Sequence, residues 1–406
     1  MRLILTFGSL LLSVLLLQWG TGGVAPLDVL SGLHLGFTPT QIGLLGSAHF
    51  AGFFVGCWWA PRLMGQVGHS RAFAAFAASG TIGILAHMMW VNPYAWAVMR
   101  MASGLCVAGC YTIIEAWLHS RVSNEDRGAA SGLYRVVDIG GSLVAQVFIA
   151  FLEPAHFFAY NLLAIFCCAA LFPLSLTRAE QPAMPEAPRL RPWMTWAISP
   201  LAAMAVISSG ITGAAFRMVG PVYGADVGLT ADQIAAFLVA YVAGGALAQF
   251  PIGWLADRVP RRRMLVWISI ATVASSLLMV PLAVTGWVGN FLGAFVFGFT
   301  TFPLYSIAAA HAHDQAGDGD RVELAASMMF LYAFGAIASP LLTSALISHL
   351  GAASMFLFIA IVHLALLLYG MYRSRVRGTP PPRTPYVYTP RTSFLIGRLL
   401  GRPKDR

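Results

Sequence analysis

Long apolar runs separated by short polar punctuation dominate this chain. Twelve stretches reach the roughly 20 mostly apolar residues that a helix needs to cross a bilayer. They are residues 4–32, 42–60, 72–90, 95–119, 128–152 and 157–176, then 195–222, 232–256, 264–283, 288–312, 323–348 and 354–373. The runs are continuous and lack the period-two alternation of a membrane barrel. A backbone in hydrocarbon must bond to itself, so the pattern predicts helices. The expected fold class is an all-α polytopic membrane protein with twelve transmembrane helices.

The first run imitates a signal peptide, with Arg2, an apolar segment and then Gly23-Val24-Ala25. Pro26 follows the would-be cleavage point and the apolar segment carries on past it. The run therefore reads as a retained membrane helix.

Composition agrees with the pattern. Of the 406 residues, 58% are apolar and 10% charged, against about 25% charged in a soluble domain. The net charge of +9 would suit nucleic acid only if it formed a patch, and it does not. With the N-terminus inside, the inner segments hold Arg2, Arg62, Arg71, Arg121, Arg127, Arg178, Arg189, Arg191, Arg258, Arg261 to Arg263, Arg321 and the basic tail. The outer loops hold none. Only Arg100, Arg135 and Arg217 fall within predicted spans. This is the positive-inside asymmetry of a bacterial inner-membrane protein with both termini cytoplasmic. The five cysteines, Cys57, Cys106, Cys110, Cys167 and Cys168, lie in apolar runs, which argues against a disulfide framework.

The two halves are related. A shift of 192 residues aligns 36–71 with 228–263 without a gap. It matches Gly36 with Gly228, Thr38 with Thr230, Gln41 with Gln233, Gly52 with Gly244 and Arg71 with Arg263, among others. A duplicated six-helix half implies a rocking-bundle transporter with its solute site near the midplane between the halves. The expected organisation is a six-helix bundle over 1–176 and a Pro-rich cytoplasmic linker over 177–194. A second bundle over 195–373 and a basic, disordered tail over 374–406 complete it. One chain contains both halves, so a monomer suffices.

Gly253-Trp254-Leu255-Ala256-Asp257-Arg258-Val259-Pro260-Arg261-Arg262-Arg263 resembles the loop signature of the major facilitator superfamily, G-x-L-x-D-R-x-G-R-R. Pro260 replaces the second glycine, and Gly65 stands where the first half would carry the acid. Arg100-Met101-Ala102-Ser103-Gly104 resembles the family's R-x-x-x-G element. Ile114-Glu115-Ala116, Gln249-Phe250-Pro251-Ile252-Gly253 and Pro303-Leu304-Tyr305 resemble the bacterial YcaD-type subgroup. The resemblance implies the major facilitator fold, two pseudo-symmetric six-helix bundles, and transport without a settled substrate. Gly253, Asp257, Arg258, Arg261 and Arg262 would form the gating loop. Asp257 would cap the helix starting near Gly128, where the macrodipole favours a carboxylate. The alternative reads the arginines only as a positive-inside anchor.

Ionisable groups inside the membrane are costly and by default paired or functional. Arg135 and Asp138 are three apart on one helix face, at a depth similar to Glu115. Glu115, Arg135 and Asp138 are therefore candidates for proton coupling, with static pairing as the alternative. Arg100, toward the outer end of its helix, either binds an anionic group or joins Asp28. Arg217 is a parallel candidate. Tyr241, Gln249, Tyr305 and Tyr332 complete the candidate cavity residues, and Tyr223 is placed near the outer mouth.

Cys106 and Cys110, with His49, Cys57, Met64, His87, Met88 and Met89 as further soft ligands, admit copper transport, but small residues at this spacing favour close helix packing. No metal site is expected. His311 and His313, before Asp314, read as a solvated loop, with a pH sensor as the alternative. Trp58, Trp59, Trp90 and Trp96 fit an aromatic belt. There is no phosphate-binding loop, H-E-x-x-H helix or nucleophile elbow, so an enzyme is not expected, and no cofactor is implied. The leading expectation is a proton-coupled secondary transporter of a small organic solute. Its partners are that solute, protons and membrane lipid, without nucleic acid. A ligand sensor on a transporter scaffold is the alternative.

Overall fold

The computed structural model describes residues 2–121, 127–176, 191–317 and 321–376. The expected linker and tail lie largely outside them. The chain separates into two compact units, Met1–Ala187 and Pro188–Arg406, and the described residues form helices without strands.

The first unit contains α1 (Arg2–Thr21), α2 (Val24–His34), α3 (Pro39–Val67), α4 (His69–Ala86), α5 (Pro93–Arg121), α6 (Arg127–Ile149), α7 (Phe157–Ala169) and α8 (Leu171–Ser175). The second contains α9 (Met194–Ile198), α10 (Pro200–Asp226), α11 (Ala231–Arg258), α12 (Arg261–Leu282), α13 (Gly286–Thr301), α14 (Pro303–His313), α15 (Arg321–Leu350) and α16 (Ser354–Val376). Several expected spans are broken helices, and three of the breaks have a local cause. Gly22-Gly23 separates α1 from α2. Pro200 opens α10 after Ser199, which takes the extended backbone that a residue before proline prefers, and Pro303 opens α14 because it has no N–H with which to continue the hydrogen bonding of α13. Pro26 falls in the first turn of α2, where its missing N–H has no intrahelical acceptor to lose.

Among the described residues, ten stretches are long and apolar enough to cross a membrane. The expected spans 72–90 and 128–152 are not among them. Their helices are α4, whose 18 residues include His69, Ser70 and Arg71, and α6, in which Val136–Ile149 is the apolar stretch among the described residues.

The sequence repeat is also a repeat of local structure. Gly36 and Gly228 take φ of 78° and 80°. Each ends a helix in a Schellman turn: Phe37 N–H donates to Gly32 O at 2.8 Å and Leu229 N–H to Gly224 O at 2.9 Å. Two residues later a threonine starts the next helix. Gln41 reaches back to Thr38 N–H at 2.9 Å and Gln233 to Thr230 N–H at 3.1 Å. Along these helices the repeated glycines meet a neighbouring backbone. A Cβ on Gly52 would strike Met101 O, and one on Gly104 would strike His49 O. In the second unit Gly244 faces Phe295 O and Gly298 faces Tyr241 O in the same reciprocal way. Small residues let α3 approach α5, and α11 approach α13, at backbone distance.

Candidate functional site

Two polar clusters are built into the first unit. The first sits where α4 ends and α5 and α7 begin. Asp28 of α2, Arg100 of α5, His87 at the end of α4 and Tyr160 of α7 are all buried. Arg100 Nε lies 3.3 Å from Asp28 Oδ2 and His87 Nε2 lies 3.5 Å from the same oxygen. Tyr160 donates its hydroxyl to Asp28 Oδ1 at 3.0 Å. Trp96 closes the cluster, with its indole N–H on His87 O at 2.8 Å and its ring edge-on to Phe37. Arg100 thus lies against Asp28, one of the two roles its sequence position allowed. A buried carboxylate needs such company, because an unpaired charge there is severely destabilising.

The second cluster joins α5 to α6 through crossed pairs. Tyr134 of α6 donates to Glu115 Oε1 at 3.2 Å, and Tyr111 of α5 donates to Asp138 Oδ1 at 2.8 Å. Gln18 of α1 donates to the same Asp138 oxygen at 2.6 Å. Tyr111 and Glu115 are four apart on one helix, Tyr134 and Asp138 four apart on the other, so each pair shares a face. The helices run antiparallel, which sets each tyrosine opposite the other helix's acid. Glu115 is buried and Asp138 half-buried. The side chain of Arg135, expected between them, lies outside the described residues.

In the second unit the cavity candidates separate. Tyr241 is buried in an aromatic stack, its ring 3.9 Å from Phe216 and 5.9 Å from Phe297. Tyr305 and Tyr332 meet edge to face at 5.7 Å, both buried. Gln249 bonds back to Gly245 O at 3.2 Å. Arg217 is exposed, with its guanidinium 5.8 Å from the Phe302 ring centre. Tyr223 is buried and donates to Asn290 Oδ1 at 2.6 Å.

The loop motif divides by role. Gly253 is buried, while Asp257 and Arg258 are exposed and Arg258 stacks on Trp254 at 3.6 Å. Arg262 donates to Arg373 O at 3.5 Å. Arg261 is buried, pairs with Asp314 Oδ2 at 2.6 Å and donates to Ala310 O at 2.9 Å. The surroundings of Gly128, the expected capping point, lie outside what the described residues define.

Arg261, expected in the gating loop with a positive-inside anchor as the alternative, fastens α12 to the end of α14 through its guanidinium. Two expectations are corrected here. His311, His313 and Asp314 do not form a solvated loop: His311 and His313 are 5% and 1% exposed, because α14 runs on to His313 and packs inside the unit. Trp96 is core rather than aromatic belt, with none of its surface exposed, whereas Trp58, Trp59 and Trp90 are exposed as a belt requires. Cys106 sits with its sulfur 3.9 Å from that of Cys167 and packs on Gly80. Among the described residues no group of three or more His, Cys, Asp or Glu could hold a metal ion.

Sequence reasoning passed over Tyr160, Tyr111, Tyr134 and Gln18, and considered His87 only as a soft metal ligand. The tyrosines did leave a signal. Tyr111 precedes Glu115 and Tyr134 precedes Asp138 by one helical turn, on two consecutive spans.

Comparison with known proteins gives these clusters a setting. A family model described as Major Facilitator Superfamily matches residues 8–216 and again residues 198–403. An uncharacterized MFS-type transporter of Yersinia pestis (strain Pestoides F) is 25% identical over 379 residues, covering 90% of this chain and 97% of that protein. The uncharacterized MFS-type transporter YcaD of Escherichia fergusonii is 24% identical over 377 residues, covering 91% and 97%. Among solved structures, the nucleoside transporter NupG shares the fold at a TM-score of 0.73 and 14% identity, covering 93% of this chain and all of that one. A D-xylose-proton symporter does so at 0.64 and 12%, covering 95% and 98%. With both halves matched by the family model, on a helical fold shared with these transporters, the chain belongs to the Major Facilitator Superfamily.

Proposed function

We propose that this protein is a proton-coupled secondary transporter that moves a small organic solute across the bacterial inner membrane by alternating access. It works as a monomer with both termini in the cytoplasm. Family membership already makes it a multi-pass membrane transporter rather than an enzyme. The observation that carries the finer reading is the crossed pairing of Glu115 with Tyr134 and of Asp138 with Tyr111. A carboxylate that accepts from a tyrosine on another helix keeps its charge only while the two helices hold that distance. Sliding one helix past the other removes the donor and favours uptake of a proton. Helix movement and proton binding are then linked, as coupling requires.

Asp257 supplies the gate in this reading. It is exposed at the end of α11 beside the stacked Arg258, where a carboxylate can engage a helix N-terminus in one state and release it in another. Arg217, Tyr305, Tyr332 and Gln249 are the solute contacts to examine in the second unit.

Purified protein would be screened by thermal shift against metabolites, since a ligand of the folded state raises its stability. The fold relatives put nucleosides and pentoses first in that screen. A hit would then be followed into proteoliposomes. Accumulation that requires a pH gradient and collapses with a protonophore is the expected result. Binding without flux would overturn the transporter reading in favour of a receptor, and flux indifferent to the gradient would overturn proton coupling.

A further inference from the structure

His87 lies 2.7 Å, through Nδ1, from Gly83 O. A carbonyl oxygen can only accept, so Nδ1 carries a hydrogen. In a neutral imidazole that is the ring's single N–H, and Nε2 is then a bare lone pair. Nε2 faces Asp28 Oδ2 at 3.5 Å and, although buried, has no hydrogen-bond partner. Two acceptors confronting each other away from water is an unfavourable arrangement.

The ring has no room to turn away. It stacks on Tyr160 at 5.1 Å and 15°, and Trp96 lies 5.0 Å off its other side. Asp28 is held as a carboxylate by two donors, the Tyr160 hydroxyl on Oδ1 at 3.0 Å and Arg100 Nε against Oδ2 at 3.3 Å. One added proton resolves the conflict. On Nε2 it turns a facing pair of acceptors into an N–H directed at a carboxylate, a charge-assisted bond of the strong kind.

We propose that His87 and Asp28 form a proton-binding site in which the proton sits on His87 Nε2 and ties the end of α4 to α2. The charged and titratable groups facing His87 are Asp28 from α2, Arg100 from α5 and Tyr160 from α7. Arg100 is what makes the proton releasable. Two cations share one carboxylate in a site closed to water, so the second is held only while the four helices keep this packing. Loss of the proton leaves Nε2 and Oδ2 opposed and loosens α2 from α4. The site is separate from the Glu115 and Asp138 pairs and uses none of their residues. It stands whether or not those groups couple transport.

The test is nitrogen NMR of the full-length protein labelled at histidine, in detergent micelles, with the His87 signal assigned by its loss in His87→Gln. At low pH both ring nitrogens of His87 should carry protons, and as the pH is raised Nε2 alone should lose its own. In Asp28→Asn the second proton should be absent at the lower pH. A wild-type His87 that shows a single N–H throughout would overturn the site, and that reading does not depend on Asp28→Asn folding. So would Asp28→Asn titrating as the wild type does. As a second readout, the side-chain amide introduced by His87→Gln offers a donor at every pH. The thermal midpoint of wild type relative to that variant should therefore fall as pH rises, and a constant difference would count against the proposal. Failure of proton-driven transport in liposomes would leave these signals unchanged, so the two readings fail separately.

Discussion

Tyr134 and Glu115 meet across two antiparallel helices with 3.2 Å between hydroxyl and Oε1, while Tyr111 meets Asp138 across the same helices at 2.8 Å. The pairs are mirror images in role, each helix giving one donor and one acid. Neither helix can slide along the other without separating each acid from its tyrosine.

Glu115→Gln should therefore abolish solute accumulation driven by a proton gradient while sparing solute exchange, because the amide keeps a contact for Tyr134 but cannot release a proton. Tyr134→Phe should give a partial loss, since it removes the donor and leaves the titrating group. Uptake and counterflow in proteoliposomes measure both. Accumulation at wild-type level in Glu115→Gln would place coupling elsewhere.

Asp257→Asn should slow transport about tenfold or more while the protein stays folded and inserted. The side chain is exposed, so little packing is lost, but the amide carries no charge to offer a helix N-terminus. Initial rates at equal protein content decide it, and unchanged flux would remove the gate.

Arg261→Ala should destabilise the protein by roughly 3–5 kcal/mol, because it leaves the Asp314 carboxylate buried without its partner. Arg261→Met with Asp314→Leu should recover much of that loss by removing both charges. A solvated anchor would predict no change in either thermal midpoint, so the pair of variants separates the two roles of this motif arginine.

Gly52→Ala and Gly244→Ala should each cost about 1–3 kcal/mol, the usual penalty of overpacking. The added methyl would meet a backbone carbonyl, Met101 O or Phe295 O, that has no rotamer with which to give way. Gly65→Ala, with open space at its Cβ position, is the control and should be neutral or slightly stabilising in its helix. Thermal midpoints in one detergent compare all three.

The fold class was legible in the order of residues because the bilayer imposes a local rule. About 20 apolar residues must be helical to satisfy their own backbone, and basic residues stay on the cytoplasmic side. The loop motif and the repeat of Gly36, Thr38 and Gln41 at Gly228, Thr230 and Gln233 were legible too, since caps and turns are made by neighbours in sequence. The breaks at Gly22-Gly23 and Pro303 were written in the chain but hidden by continuous hydropathy, which counts apolar residues and not hydrogen bonds. Partners were another matter. That Arg261 finds Asp314, that His87 and Tyr160 close around Asp28, and that each tyrosine of α5 and α6 faces the other helix's acid depend on how helices rotate and cross. Those angles come from side chains packing at contact range between residues far apart in the chain, 132 positions for Asp28 and Tyr160. Sequence by itself determined which segments are helices and which residues carry charge into the membrane; only the tertiary structure decided which charges meet, because close packing, and not chain order, selects neighbours in an apolar interior.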